Sequence, residues 1–191
     1  MPHGTNHSSM IVREGFPFII PLGAVTLGAF FAGFTRLFAL LLLLTLFVIW
    51  FFRNPERKTP EGQRLVISPA DGKVIRVEET TSDELPGFSF EKISVFMNVF
   101  NVHVNRTPCS GEVFSIRYRA GKFLSANLDK ASELNERNAV LIRTDDGREI
   151  MIVQIAGLIA RRIVCWMKED MKVKKGERFG LIRFGSRVEV F

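Results

Sequence analysis

The feature that most constrains this chain is an apolar segment at residues 16–52, which contains a single charged residue, Arg36. One straight helix of that length would be roughly 55 Å long at ~1.5 Å per residue, well beyond a ~30 Å hydrocarbon core. Two helices, over residues 16–34 and 37–52, fit better and predict a membrane-associated hairpin. The segment is too long for a cleaved signal peptide. Spanning and interfacial hairpins both stay open, as does a hairpin buried in a soluble protein.

The residues around the hairpin predict its orientation and the domain organisation. Residues 1–15 form a polar tail, and a linker at residues 53–64 carries Asn54-Pro55 and a basic cluster. Positive charge beside a membrane segment favours the cytoplasmic side. We therefore expect residues 65–191 to form a domain on the cytoplasmic side of the cell membrane.

Composition narrows the range of partners. The net charge is +6, and no dense basic patch with interleaved aromatic residues occurs in the polar part of the chain. This argues against a nucleic-acid partner and favours anionic membrane lipids. Cys109 and Cys165 lie far apart, with no metal-binding spacing and no disulfide framework, so we expect buried, reduced thiols and no metal.

The domain after the linker is predicted to be mostly β. Expected strands cover residues 65–67, 73–79, 93–104, 112–118, 139–144, 149–155, 159–166 and 179–182, and a last half-buried strand runs from 181 to 191. A hairpin should turn at Asp145-Asp146-Gly147-Arg148, and the polar residues 121–138 should form a long loop.

A repeated turn pattern points to the architecture. Pro69-Ala70-Asp71-Gly72-Lys73-Val74 and Pro108-Cys109-Ser110-Gly111-Glu112-Val113 share the order Pro, two residues, Gly, charge, Val. The turn at Val173-Lys174-Lys175-Gly176-Glu177 resembles those of lipoyl- and biotinyl-type domains. We therefore expect a barrel-sandwich, lipoyl-like hybrid β domain behind the helical hairpin.

The bond between Gly185 and Ser186 is the most reactive-looking feature of this domain. Glycine has no Cβ to hinder attack by the following hydroxyl on its carbonyl, and it reaches strained backbone angles cheaply. Asp71 lies in a Pro-Ala-Asp-Gly turn, where aspartate is also ordinary turn chemistry. If residues 99–106 form a strand, alternation places Asn101, His103 and Asn105 on one face.

Carboxylate, imidazole and hydroxyl are the three groups of a nucleophile relay. Asp71, His103 and Ser186 are therefore the candidate catalytic residues, although the sequence alone does not bring them together. Arg161, Arg162 and Arg183 are candidates for phosphate binding, because the planar guanidinium forms bidentate bonds. Paired arginines are also common on solvated surfaces.

These residues fall in segments that together resemble the short, bacterial and archaeal type of phosphatidylserine decarboxylase proenzyme. The segments, in chain order, are Phe51-Phe52-Arg53-Asn54-Pro55-Glu56-Arg57, Ser68-Pro69-Ala70-Asp71-Gly72, Phe96-Met97-Asn98-Val99-Phe100-Asn101-Val102-His103-Val104-Asn105-Arg106, Gln154-Ile155-Ala156-Gly157, Ala160-Arg161-Arg162-Ile163 and Arg183-Phe184-Gly185-Ser186-Arg187-Val188.

The resemblance implies autocatalytic cleavage between Gly185 and Ser186. Residues 1–185 would become the β chain, and the α chain would begin with a covalent pyruvoyl cofactor derived from Ser186. The pyruvoyl ketone would form a Schiff base with phosphatidylserine and act as an electron sink while CO2 leaves, giving phosphatidylethanolamine. Longer bacterial members have a second histidine near the position of Arg106, so His103 serves both steps or another group serves one.

Two alternatives and one open point remain at the level of sequence. The same chemistry could act on another serine phospholipid, such as an archaeal ether-linked archaetidylserine. A non-catalytic membrane-anchored adaptor with a lipoyl-like domain would need long coiled-coil helices, which residues 121–138 do not supply. The oligomeric state, including a homo-oligomer, is left open.

Five residues follow Ser186, fewer than is usual in the family, which predicts weak retention of the cleaved peptide.

Overall fold

The computed structural model describes residues 9–62, 64–82, 85–125, 131–158, 162–183 and 185–191. The chain divides into two compact units, one ending at Glu56 and the other beginning at Arg57. Among these described residues, the first unit contains a 3₁₀ turn and two α-helices, and the second contains ten strands and a short helix. The elements are a 3₁₀ turn at Arg13–Gly15, α1 (Phe16–Phe31), α2 (Thr35–Phe51), β1 (Lys73–Ser82), β2 (Leu85–Met97), β3 (Val104–Arg106), β4 (Gly111–Arg119), α3 (Ala131–Leu134), β5 (Arg137–Arg143), β6 (Glu149–Ala156), β7 (Ile163–Cys165), β8 (Lys172–Val173), β9 (Arg178–Ile182) and β10 (Ser186–Val190).

The predicted helical hairpin is confirmed. Pro17 falls in the first turn of α1, where backbone N–H groups have no helical partner, and the helix continues through Pro21. The hydroxyl oxygens of Thr26 and Thr45 lie 2.9 Å apart and join the two helices. The segment Arg13–Phe31 is long and apolar enough to cross a membrane, whereas Thr35–Phe51 is shorter.

The second unit is mostly β, as predicted, and its described strands form two antiparallel sheets. The larger sheet has the order β1-β2-β10-β6-β5-β4-β8, and the smaller has the order β3-β9-β7. Residues from both sheets share one apolar cluster, in which Phe179 and Ile182 of β9 join Met97, Ile152 and Val188 of the larger sheet. Neither described sheet closes on itself, so the barrel-sandwich prediction is not confirmed.

Several local predictions are also settled. The hairpin of β5 and β6 across residues 145–148 is as expected. The predicted strand at residues 65–67 is wrong, because these residues are not in a strand. The loop predicted at 121–138 contains α3 and the start of β5, while residues 126–130 lie outside the described part, as do residues 159–161 of the strand predicted at 159–166.

The continuous strand predicted at residues 93–104 is also wrong. β2 ends at Met97, and a turn follows in which the Asn98 side chain accepts a hydrogen bond from the Phe100 N–H and the Asn101 side chain accepts one from the Asn98 N–H. Asparagine side chains that bind nearby backbone compete with strand pairing. His103 therefore lies just before β3, and residues 102–105 are all buried instead of alternating.

The two cysteines are free thiols. Cys109 is buried as predicted, and its burial raises the pKa of the thiol to about 11. Cys165 is only half-buried, and desolvation also raises its pKa. Both cysteines are therefore free thiols, as expected from the sequence, but only Cys109 is fully buried.

Gly180 provides a test of how the smaller sheet is packed. A Cβ at this position would collide with the carbonyl oxygen of Val164 on the paired strand β7. We expect Gly180→Ala to lower the free energy of unfolding by about 1–3 kcal/mol, because an overpacked backbone must shift. Guanidinium denaturation in detergent, followed by circular dichroism, measures this. Gly28→Ala is the control, since its added Cβ meets no atom within 4 Å apart from its chain neighbours and the backbone of its own helix. Equal stability of Gly180→Ala and the parent protein would contradict this packing.

Candidate active site

The Gly185–Ser186 bond lies where the chain passes from the smaller sheet to the larger one. β9 ends at Ile182 and β10 begins at Ser186, so the single strand predicted over residues 181–191 is in fact two strands in different sheets. Gly185 has φ +70°, and a Cβ would meet nothing within 4 Å. The backbone angle, and not a lack of space, is thus what favours glycine at this position.

Ser186 is completely buried as the first residue of β10. Its backbone lies between Met97 of β2 and Ala156 of β6. Its Oγ is buried and has no hydrogen-bond partner among the described residues. A buried hydroxyl without a partner is energetically costly, and such exceptions often mark chemically active positions.

His103 is buried and faces the same bond. Its Nδ1 lies 3.0 Å from the carbonyl oxygen of Asn101, and its Nε2 accepts a hydrogen bond of 3.3 Å from the N–H of Gly185. A carbonyl oxygen can only accept, so Nδ1 carries the proton and Nε2 carries the lone pair. The backbone carbonyl of His103 also accepts a bond from the Ile182 N–H. The imidazole is therefore fixed in both tautomer and position beside the residue that precedes Ser186.

This arrangement differs from a complete relay in two respects. His103 Nε2 binds the Gly185 N–H and not Ser186 Oγ, which has no described partner. The group that orients the imidazole is the backbone carbonyl of Asn101, which the sequence pattern did not identify. A short turn fixed by asparagine side chains is the signal that could have found it.

Asp71 is not bonded to His103. Its carboxylate forms a salt bridge of 2.5 Å with Arg57, and both side chains are roughly half-exposed. The hydrogen bond to Asp71 raises the pKa of Arg57. Asp71 precedes β1, and both Lys73 of β1 and Arg187 of β10 pair with Phe96 of β2. The structure therefore brings Asp71 to the same end of the sheet, with Arg57 as a partner that the sequence reasoning missed.

Two of the three candidate phosphate-binding arginines lie next to each other. The N–H of Arg183 donates to the carbonyl oxygen of Arg162 at 3.2 Å, just before Gly185. Arg162 is exposed and Arg183 is half-buried. Arg161 lies outside the described residues. Within the described ranges, no cluster of three or more His, Cys, Asp or Glu side chains could hold a metal ion.

The fold and this geometry can be compared with known proteins. A family model described as phosphatidylserine decarboxylase matches residues 44–191. A phosphatidylserine decarboxylase proenzyme from Syntrophus aciditrophicus (strain SB) is 64% identical over 186 residues, which cover 97% of this chain and 87% of that protein. Proteins of the same name from Rickettsia prowazekii (strain Madrid E) and Aromatoleum aromaticum (strain DSM 19018 / LMG 30748 / EbN1) are 47% and 50% identical. Each match covers 95% of this chain, and 80% and 84% of the respective relative.

The assigned tautomer of His103 gives a direct test of the site geometry. We expect neutral His103 to carry its proton on Nδ1, because that nitrogen faces a carbonyl oxygen. Two-bond ¹H–¹⁵N NMR correlations of the imidazole distinguish the two nitrogens. They are measured on full-length Ser186→Ala protein that is uniformly labelled with ¹⁵N. A proton on Nε2 in the neutral ring would contradict the described contacts.

Proposed function

Because the chain belongs to the phosphatidylserine decarboxylase family, a family of decarboxylating enzymes, we propose that it converts phosphatidylserine to phosphatidylethanolamine after cleaving itself between Gly185 and Ser186. The observation that carries the proposal is the buried, unpartnered Oγ of Ser186 beside Gly185, whose N–H is bonded to His103 Nε2. The resemblance predicted from the sequence motifs is confirmed by the family match.

The proposed cleavage uses only groups of this chain and one water molecule. Ser186 Oγ attacks the carbonyl carbon of Gly185, and the Gly185–Ser186 amide becomes an ester as the nitrogen takes up a proton. In the β-elimination that follows, a base takes the Cα proton of residue 186, the Cα–H electrons form the Cα=Cβ double bond, and the Cβ–Oγ bond breaks. Gly185 thereby keeps the oxygen as a carboxylate, and residue 186 becomes dehydroalanine. Water replaces the nitrogen of dehydroalanine, which leaves as ammonia, and the new chain begins with a pyruvoyl group.

His103 is the proposed base for this cleavage. Its Nε2 lone pair lies at the residue adjoining Ser186, and a bond from Nδ1 to Asn101 holds that lone pair in place. Rotation of the Gly185 N–H away from Nε2 would free the lone pair to take the hydroxyl proton. General base catalysis needs hydrogen-bond reach, which often tightens only as the reaction proceeds. Asp71 is the proposed carboxylate partner, and release from Arg57 would be required before it could assist His103.

The residues around Ser186 fit a pyruvoyl group. The orphaned Oγ is the atom that the conversion removes, and residue 186 remains held between β2 and β6. A pyruvoyl ketone supplies the electron sink that decarboxylation of an amino acid requires. His103 would then hold a proton at Nε2 beside that position, and Arg161, Arg162 and Arg183 would bind the phosphate of the lipid headgroup.

The proposed location is the cell membrane, with the catalytic unit on the cytoplasmic side. Support comes from the helical hairpin, which presents exposed apolar side chains such as Ile20, Phe31, Leu40 and Leu43, and from the basic residues that follow it. In this proposal, residues 1–15 are a tail, 16–52 the membrane hairpin, 53–64 a linker and 65–191 the catalytic domain. Anionic lipids would be its surroundings as well as its substrate.

Intact-protein mass spectrometry tests the proposed reaction. The parent protein should yield one chain ending at Gly185 and one beginning with pyruvoyl, whose summed masses equal the precursor plus water minus ammonia. Ser186→Ala should stay at full length and release no CO2 from phosphatidylserine labelled in its carboxyl group. Ser89→Ala, at an exposed position of β2, is the matched control and should behave like the parent protein.

Three results would contradict the proposal: a parent protein that stays at full length, cleavage at another bond, and decarboxylation by Ser186→Ala. An ether-linked serine phospholipid, offered in the same assay, distinguishes the alternative substrate, since faster turnover of that lipid would reassign the substrate without changing the chemistry.

A further inference from the structure

The strand that follows the cleavage bond carries two buried charges. Arg187 and Glu189 are each 2% exposed, and their strand, β10, lies in the interior of the larger sheet. Side chains alternate along a strand, so these two lie on the face opposite Ser186 and Val188. The sequence pattern of alternating polar and apolar residues predicts a solvated face here, and burial of both charges overturns that interpretation.

The two charges are bound to each other and to two serines from other elements. Arg187 Nη1 lies 3.5 Å from Glu189 Oε1. Ser94 of β2 and Ser132 of α3 both donate to Glu189 Oε1, at 3.1 Å and 2.8 Å. Arg187 Nη1 in turn donates to Ser132 Oγ at 2.7 Å. We call these four residues the β10 charge cluster; it joins β10 to β2 and to α3.

Burying an ion pair in a strand has a large unfavourable free energy of desolvation. Apolar side chains of similar volume often serve stability as well or better, so the pair calls for a reason connected with specificity. Register is such a reason, because a slip of one residue would turn Arg187 and Glu189 toward the apolar cluster that contains Val188. A slip of two residues would separate Glu189 from Ser94 and Ser132. The β10 charge cluster therefore allows only one register.

Register matters most after the chain has been cut. Before cleavage, Gly185 ties β10 covalently to β9, and cleavage would remove this link, so that β10 would then depend on its contacts with neighbouring elements. Backbone pairing joins Ser186–Val190 to β2 on one side and to β6 on the other. Backbone pairing alone does not fix register, whereas a charged pair with dedicated partners does.

We propose that the β10 charge cluster retains the cleaved peptide and positions residue 186 beside His103. Arg187 and Glu189 are thus positioning residues, which act through the placement of residue 186 without touching the substrate. The inference rests on the proposed cleavage, and it adds a device that keeps the new chain in place once the covalent link is lost.

The test measures how long the processed parent protein keeps the peptide that begins at residue 186. Purified, cleaved protein is diluted and passed over a sizing column at intervals, and the bound peptide is quantified by mass spectrometry. We expect Glu189→Gln to release the peptide roughly a hundredfold faster, because it removes the buried carboxylate charge that pairs with Arg187 and accepts the bonds from Ser94 and Ser132. Glu149→Gln, on the exposed pair with Arg143, is the matched control and should release at the parent rate.

A second measurement separates positioning from general destabilisation. The near-ultraviolet circular dichroism of the longer chain is followed during release. We expect the longer chain to stay folded while the peptide leaves, whereas a merely structural role would release the peptide only as the longer chain unfolds. Simultaneous unfolding and release would overturn the proposal.

Ser132→Ala tests the same role of the β10 charge cluster if the Glu189→Gln protein does not fold or cleave. It leaves both charges in place and removes one bond from each, so we expect release about tenfold faster than in the parent protein. Release at the parent rate by this variant, or by a cleaved Glu189→Gln protein, would overturn the proposal and leave the proposed function intact. A parent protein that never cleaves would overturn both.

Discussion

The contact on which the site depends is the pair of hydrogen bonds made by one imidazole. Nδ1 of His103 binds the Asn101 carbonyl and Nε2 accepts from the Gly185 N–H, so the ring joins the turn before β3 to the crossing between the two sheets. Both bonds are needed, because the first fixes the tautomer and the second fixes the location of the lone pair. The surrounding fold serves this contact. β3 pairs with β9, which leads into Gly185, while β10 begins at Ser186 in the opposite sheet.

The crossing between sheets also explains why the proposed cleavage at this bond would leave the strand pairing of the unit in place. The peptide bond before Ser186 lies in a connection, whereas the residues after it are paired on both sides. Cutting a connection removes a covalent constraint and leaves the sheet hydrogen bonds in place. The position of the bond is thus compatible with the proposed conversion of Ser186 into a reactive group, and we propose that the buried charges on β10 give the new chain a defined register.

The sequence predicted the parts of this structure that depend on local pattern. The helical hairpin follows from the long apolar segment with its single charge, and the β5–β6 hairpin follows from Asp145-Asp146-Gly147-Arg148. The sequence did not predict contacts between side chains that are far apart in the chain. Nothing near Glu189 in the sequence indicates that its carboxylate will accept bonds from Ser94 and Ser132. Likewise, the partner of Asp71 is an arginine from the linker. His103 and Ser186 could be named as candidates, but their proximity depends on how β9 and β10 divide between the two sheets.

The central claim is that His103 supplies the base for cleavage of the Gly185–Ser186 bond, and chemical rescue tests it most directly. His103→Gly removes the ring and leaves space in which free imidazole can bind. We expect purified His103→Gly protein to stay at full length and added imidazole to restore cleavage between Gly185 and Ser186, as followed by intact mass over time. Cleavage of His103→Gly at the parent rate without imidazole would contradict it.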